Sequence, residues 1–210
     1  MEKKPVLDYS KPTSEQIRDE MLNFMNLKYD KTFIGLSLEQ RGIDRSSDKL
    51  VCYAEGDNRD KDFAYVYRDI SDGVIEYSDT YFAILIREEL NDEIENICRN
   101  FGFESKVYSD TLTCLYANEY DKSKTLADLK SDKSQPGFLV EVALTTTGID
   151  LNEEISQEIF NAFREANLLG DFTLYSFTRP IFDTVTDANV GVMLTPANDN
   201  VITYYFRSVD

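Results

Sequence analysis

DFAYVYRDISDGVIEYSDTYFAILIREELNDEIENICRNFGFESKVY, residues 62–108, is where the hydrophobic pattern of this chain changes its period. DFAYVYRD alternates apolar and polar residues as a half-buried strand does, and Ser71-Asp72-Gly73 supplies a tight turn. VIEYS and TYFAILI read as the next two strands, the second a solid apolar run that suits a buried position. From Arg87 the spacing becomes helical. Leu90, Ile94, Ile97, Cys98 and Phe101 fall on one stripe, while Glu88, Glu89, Asp92, Glu93 and Glu95 occupy the other face. Acids in the first turns suit the positive end of a helix dipole, and Gly102 gives a stop before the strand SKVYSD. The pattern predicts a helix over residues 87–101.

Upstream, residues 1–11 are charged and read as a tether. Thr13 and Gln16 have the spacing of a capping box, opening a helix over 14–28 with Ile17, Met21, Phe24, Met25 and Lys28 at helical intervals. FIGLSL (33–38), KLVCYAEG (49–56) and DFAYVYRD (62–69) follow as strands with connections too short for a crossover helix. An antiparallel meander results. Downstream, residues 117–137 are polar, lysine-rich and end in Pro-Gly, with one helical turn at Leu126–Leu129. They read as a linker. FLVEVALTTT (138–147) is a strand. Asp150 then caps a helix carrying Ile155, Ile159, Phe163 and Leu168, ended by Gly170. FTLYSFTRPIF (172–182) is extended, and NVGVMLT and VITYYFR flank a hairpin signal at 196–200. The helical segments echo each other: aligning Glu88 with Glu153 also matches Glu93 with Glu158, Ile94 with Ile159, Asn96 with Asn161 and Arg99 with Arg164. Shared helix composition explains such an echo as readily as an internal repeat does.

The expected architecture is therefore α+β, with antiparallel sheets and amphipathic helices packed on one face, in two lobes (12–116 and 138–210).

The chain has 210 residues and a formal charge of −17. Over residues 134–210 the only cations are Arg164, Arg179 and Arg207. Such a surface repels phosphates, so direct nucleic-acid binding is disfavoured. Solubility through self-repulsion is the simplest reading of the charge, and docking on a basic partner is the sharper one. No apolar run reaches the ~18 residues of a membrane span. MEKKPVLDYSKPTSEQ holds no apolar leader core, which leaves a cytoplasmic chain or one from which a leader has been removed.

Histidine is absent, which removes His-based triads and imidazole metal ligands. Phosphate-cradling glycine loops are absent too, and no cofactor is expected. Cys52, Cys98 and Cys114 match no zinc spacing. They read as buried thiols, with a Cys52–Cys114 bridge as the alternative outside the cytoplasm. Asp57, Asp60 and Asp62, with Glu55 nearby, are the metal candidates, since oxygen ligands suit Ca²⁺. Arg59 and Lys61 interleave them, as in a solvated loop. Tyr65 and Tyr67 alternate on one strand with Tyr77 and Tyr81 close in sequence, and these four are the candidate binding surface. Tyrosine combines rigid area with a polar tip, although it is equally at home in an ordinary sheet.

Three segments carry a resemblance: MLNFMNLKYDKTF (21–33), VYRDISDGVIEYSDTYFAILIREE (66–89) and FGFESKVYSD (101–110). Together they resemble a family of uncharacterised small predicted lipoproteins from clostridia and related gut bacteria. In that family a helix ending in a Lys-Tyr pair precedes a strand set and a D-N-Y-F-like segment. Lys28-Tyr29 and Asp79-Thr80-Tyr81-Phe82 stand in those places. TLYSFTRP in the second half is also similar. The resemblance implies export and a lipid anchor upstream of residue 1, and it brings no assigned active site. The expectation is a non-catalytic ectodomain at the cell envelope that binds an unknown protein or small ligand. The alternative is a cytoplasmic acidic inhibitor or immunity-type protein that occupies a basic nucleic-acid-binding cleft.

Overall fold

The computed structural model describes residues 12–42, 46–132, 136–146, 148, 150–186, 188–193 and 202–207. By its internal contacts the chain divides into two compact units, Met1–Tyr81 with Ala117–Lys122, and Phe82–Tyr116 with Ser123–Asp210. The expected linker, 117–137, is thus apportioned between them, and it contains a short helix.

The first unit opens with α1 (Ser14–Tyr29), whose capping box is formed as the sequence predicts: Gln16 N–H donates to Thr13 Oγ1 and Thr13 N–H donates to Gln16 Oε1. Four strands follow: β1 (Phe33–Glu39), β2 (Asp48–Ala54), β3 (Phe63–Ser71) and β4 (Val74–Asp79). They pair antiparallel in the order β1-β2-β3-β4, with a register irregularity between Gly35 and Ser37. Asp72 and Gly73 both have positive φ (53° and 81°), as a two-residue hairpin of the type whose twist matches its strands requires. Alternation sends Leu50, Cys52, Ala54, Ala64 and Val66 to one buried face, where α1 contributes Ile17, Met21 and Met25. Arg68 shares that face. Its guanidinium donates to Asp48 Oδ2 at 3.0 Å and lies 3.4 Å from Glu20, while Arg41 N–H donates to Asp48 Oδ1.

The second unit contains α2 (Tyr81–Asn100, with Tyr81 counted in the first unit), β5 (Glu104–Ser109), α3 (Leu126–Ser131), β6 (Phe138–Thr145), α4 (Glu153–Glu165), β7 (Gly170–Ser176), α5 (Arg179–Phe182), α6 (Val190–Met193) and β8 (Ile202–Arg207). Its sheet runs β5-β6-β7-β8, and the β6–β7 pair is parallel, joined through α4. Val140, Val142, Phe172 and Leu174 face α4, where Phe163 meets Phe172 at 4.9 Å between ring centres. On the other face Ala143, Tyr175 and Phe177 pack with Phe182 and Val185. There the Lys106 ammonium donates to the carbonyls of Phe182 and Val185. The class is α+β, with one antiparallel and one mixed sheet, neither closed.

One expected strand, and parts of two other extended segments, are helix. TYFAILI forms the first turns of α2, not a strand: Phe82, Ile86, Leu90, Ile94 and Cys98 are all buried at a four-residue spacing that runs through Arg87 without a break. A solid apolar run carries no period of its own, and here its continuation decides. FTLYSFTRPIF stops being a strand at Ser176, and Pro180 enters the first turn of α5, where its missing N–H removes no helical bond. In NVGVMLT, residues 190–193 are α6. Asn189 ties Thr186 N–H to its side chain, and Val190 N–H donates back to Thr186. The cap of α4 is Asn152, two residues later than expected. The tether at 1–11 and the hairpin at 196–200 lie outside the described residues.

Gly170 has φ of 151°, and a Cβ there would lie 2.1 Å from the Phe138 carbonyl oxygen. Gly170→Ala should therefore lower stability by more than about 2 kcal/mol in chemical denaturation. Gly42→Ala, with open space around it, should change it by less than about 0.5 kcal/mol.

Candidate functional site

The face of the first sheet that points away from α1 is built by the other half of the same alternation. Lys49, Val51 and Tyr53 of β2 stand beside Phe63, Tyr65 and Tyr67 of β3, all half-buried. Among the described residues of this unit, α1 is the only helix, and it packs on the opposite face. Phe63, Tyr65 and Tyr67 form a row along β3. Their ring centres are 5.8 and 6.4 Å apart, and the second pair is edge-on. The register sets Lys49 opposite Tyr67, and its ammonium lies 3.5 Å from the centre of the Tyr65 ring and 5.8 Å from that of Tyr67. A cation over a ring at an exposed site contributes about 0.5–1 kcal/mol. The contact places the Lys49 charge over the Tyr65 ring. Burial raises the Tyr67 phenol above its ordinary value, so it stays a neutral donor.

Tyr77 and Tyr81 are not on this face. Tyr77 pairs with Arg68, on the helix side of the sheet. Its ring stacks on Phe24 of α1 at 4.6 Å and its hydroxyl donates to Glu20 at 2.5 Å. Burial, with Glu20 adding to it, pushes that phenol up to about 12. Tyr81 is fully buried, edge-on to Tyr29 and Phe33 at 4.8 Å each. Of the four expected tyrosines, the structure joins Tyr65 with Tyr67 and adds Phe63, Tyr53 and Lys49.

The carboxylate loop is organised around Asn58. Asp62 accepts from Asn58 N–H at 3.2 Å, and Asp60 N–H donates to the Asn58 side chain at 3.0 Å. Asp57 faces elsewhere: it accepts from the Tyr81 hydroxyl at 2.7 Å and lies 3.4 Å from Lys31, which itself donates to the Tyr81 oxygen. Among the described residues, no group of three or more Cys, Asp or Glu side chains is placed to hold a metal ion.

A buried polar network escaped the sequence reading. Lys28 donates to Asp79 Oδ2 at 2.7 Å and to the Ala117 carbonyl at 2.8 Å. The single Tyr29 hydroxyl proton is shared between Asp79 Oδ1 at 2.8 Å and the Tyr120 carbonyl at 3.2 Å. The Asp79 carboxylate also accepts from Tyr81 N–H, satisfying a donor at the start of α2. Burial raises the Asp79 carboxyl above its ordinary value, against the pull of Lys28, Tyr29 and Tyr81 N–H. The available signal was Lys28 itself, a cation on the apolar stripe of α1. Lys28, Tyr29, Asp79 and the Tyr81 amide thus meet in one network.

All three thiols are free and buried. Desolvation pushes Cys52 and Cys98 up to about 12 and Cys114 up to about 11. At pH 8 the native protein should hold about a thousandfold less Cys52 thiolate than an unperturbed thiol would supply. Iodoacetamide should leave the native chain unlabelled over an hour and add three labels after denaturation, as read by intact mass.

No family model and no curated protein matches the sequence. Among solved structures the chain is similar to a DUF5037 family protein from Ruminococcus gnavus ATCC 29149, at 13% identity and a TM-score of 0.42, over 91% of each chain.

Proposed function

We propose that this chain is a binding protein, the ectodomain of an envelope lipoprotein, and that it takes its partner on the open face of the first sheet. The observation that carries the reading is the Phe63–Tyr65–Tyr67 row with Lys49 over Tyr65, a half-buried aromatic surface on a four-stranded sheet. Tyrosines held in this way offer contact area at little cost in conformational entropy, with hydroxyls left to hydrogen-bond. Placement at the envelope rests on the motif resemblance, in which Lys28-Tyr29 and Asp79–Phe82 take the family's positions.

A second reading is supported by the charge of −17: an acidic inhibitor that fills a basic cleft. The two differ in where they place the contact and in their response to salt. A partner held on the aromatic face should be released by the Tyr65→Ala, Tyr67→Ala double variant and little affected by ionic strength. A basic partner held by charge should leave as salt rises from about 0.05 to 0.5 M.

The test uses a solubilised envelope fraction from the native host, titrated against the immobilised protein with the bound material quantified. The double variant should bind at least about tenfold less than the parent, with an unchanged melting temperature. Tyr77→Phe, on the other side of the sheet, should bind as the parent does. Equal binding by the double variant and the parent would remove the proposal.

A further inference from the structure

Residues Ala117–Lys122 lie in sequence between two stretches of the second unit, yet their contacts place them in the first. Three consecutive residues at the end of α1 hold them. Lys28 donates to the Ala117 carbonyl and Tyr29 to the Tyr120 carbonyl, while Asp30 pairs with Lys122 at 2.5 Å. The first two contacts are made to backbone oxygens, as when a protein grips a peptide irrespective of its side chains. Tyr120 N–H donates to the Ala117 carbonyl at 3.2 Å, which closes the segment into a turn. Within it Tyr120 is buried, and Ala117, Asn118, Glu119 and Lys122 are exposed. Tyr120 is thus the one apolar side chain that the segment buries, and Lys28, Tyr29 and Asp30 add polar contacts on either side of it.

Asp79 sets those groups in place. Its two oxygens receive Lys28 and Tyr29, fixing the ammonium and the hydroxyl where the two carbonyls meet them. The Lys28 and Asp79 side chains are 3% and 0% exposed, so neither finds water as a substitute partner in the closed state.

We propose that Ala117–Lys122 is a releasable strap, which opens as one piece while the first sheet stays folded, and that Asp79 is the positioning residue that keeps it shut. Segments with few buried apolar contacts are the ones that open below the global unfolding free energy. The strap is therefore an intramolecular peptide ligand of the α1 terminus, and its release uncovers the Lys28 ammonium and the Tyr29 hydroxyl, whose single proton stays with Asp79.

Native-state hydrogen exchange of the full chain, resolved by peptide mass spectrometry, tests this. In the parent protein, amides of 117–122 should exchange at least about tenfold faster than those of β2 and β3. Asp79→Asn should speed the strap by a further factor of about ten and leave β2 and β3 within about twofold. That variant strands the Lys28 charge and can fail to fold. Tyr29→Phe keeps the ring against Phe33 and Tyr81, removes only the hydroxyl, and should likewise speed the strap selectively. Asp30→Ala, which breaks an exposed pair, should move strap exchange by less than about twofold. The proposal is overturned if strap and sheet accelerate together, if the strap is unmoved in both network variants, or if Asp30→Ala matches Tyr29→Phe.

Discussion

One carboxylate ties together the parts of the first unit that the sequence keeps apart. Asp79 ends β4, and through it the end of α1, the first turn of α2 and the segment near residue 120 are joined by hydrogen bonds. A buried ion pair is weak evidence for net stability, because removing two charges from water costs about what their attraction returns. What it supplies is specificity. An ammonium on the apolar stripe of α1 has one low-energy arrangement, with its charge met by Asp79, and that fixes how far α1 can slide or rotate on the sheet. Asp48 and Arg68 repeat the device two residues further along β3, with side chains only 1% and 4% exposed. Two polar pins on an otherwise apolar face set the register that methionine and alanine packing alone would leave loose.

The same pins decide which side of the sheet faces α1 and which faces away from it. Strand alternation allows no independent choice: once Leu50, Cys52, Ala64, Val66 and Arg68 face α1, Lys49, Val51, Tyr65 and Tyr67 must face away. Tyr77 shows the rule at work. It lies near Tyr65 and Tyr67 in sequence, but its pairing with Arg68 puts it on the packed side, stacked on Phe24. The aromatic surface is thus a by-product of the core pattern that has kept large rings where a purely solvated face would carry charge.

Much of this was legible in the residues. The capping box at Thr13, the strands of the first sheet and the Asp72-Gly73 turn depend on local chemistry, and local chemistry is what a sequence states. The failures share a cause. TYFAILI is apolar at every position after its threonine, so its state is set by what it packs against. The four-residue spacing from Phe82 to Cys98 shows the answer only when the run is read together with the helix that follows. Arg179-Pro180 and Asn189 initiate helical turns through backbone bonds across three or four residues, a scale at which strand and turn propensities overlap. For the candidate surface, Tyr65 and Tyr67 followed from alternation, whereas Tyr77 and Tyr81 needed the register and the helix boundary. Asp79 is one of 39 acidic residues in the chain, and nothing local distinguishes it. Its role comes from partners 50 and 51 positions away.

The interleaving of the two units also bears on how the chain is made. Translation delivers the four strands of the first sheet early, in hairpin order, and such local pairings form quickly. The two carbonyls that cap the Lys28–Tyr29 donors leave the ribosome only after α2 and β5 have been made. Until then the nascent first unit carries an incompletely matched polar cluster. The second sheet is more dependent on late residues, because β7 takes β8 as its outer neighbour and β8 lies at 202–207. The first unit therefore cannot be finished until part of the second has been made, and a pause in synthesis between residues 81 and 117 would hold it in its least settled form.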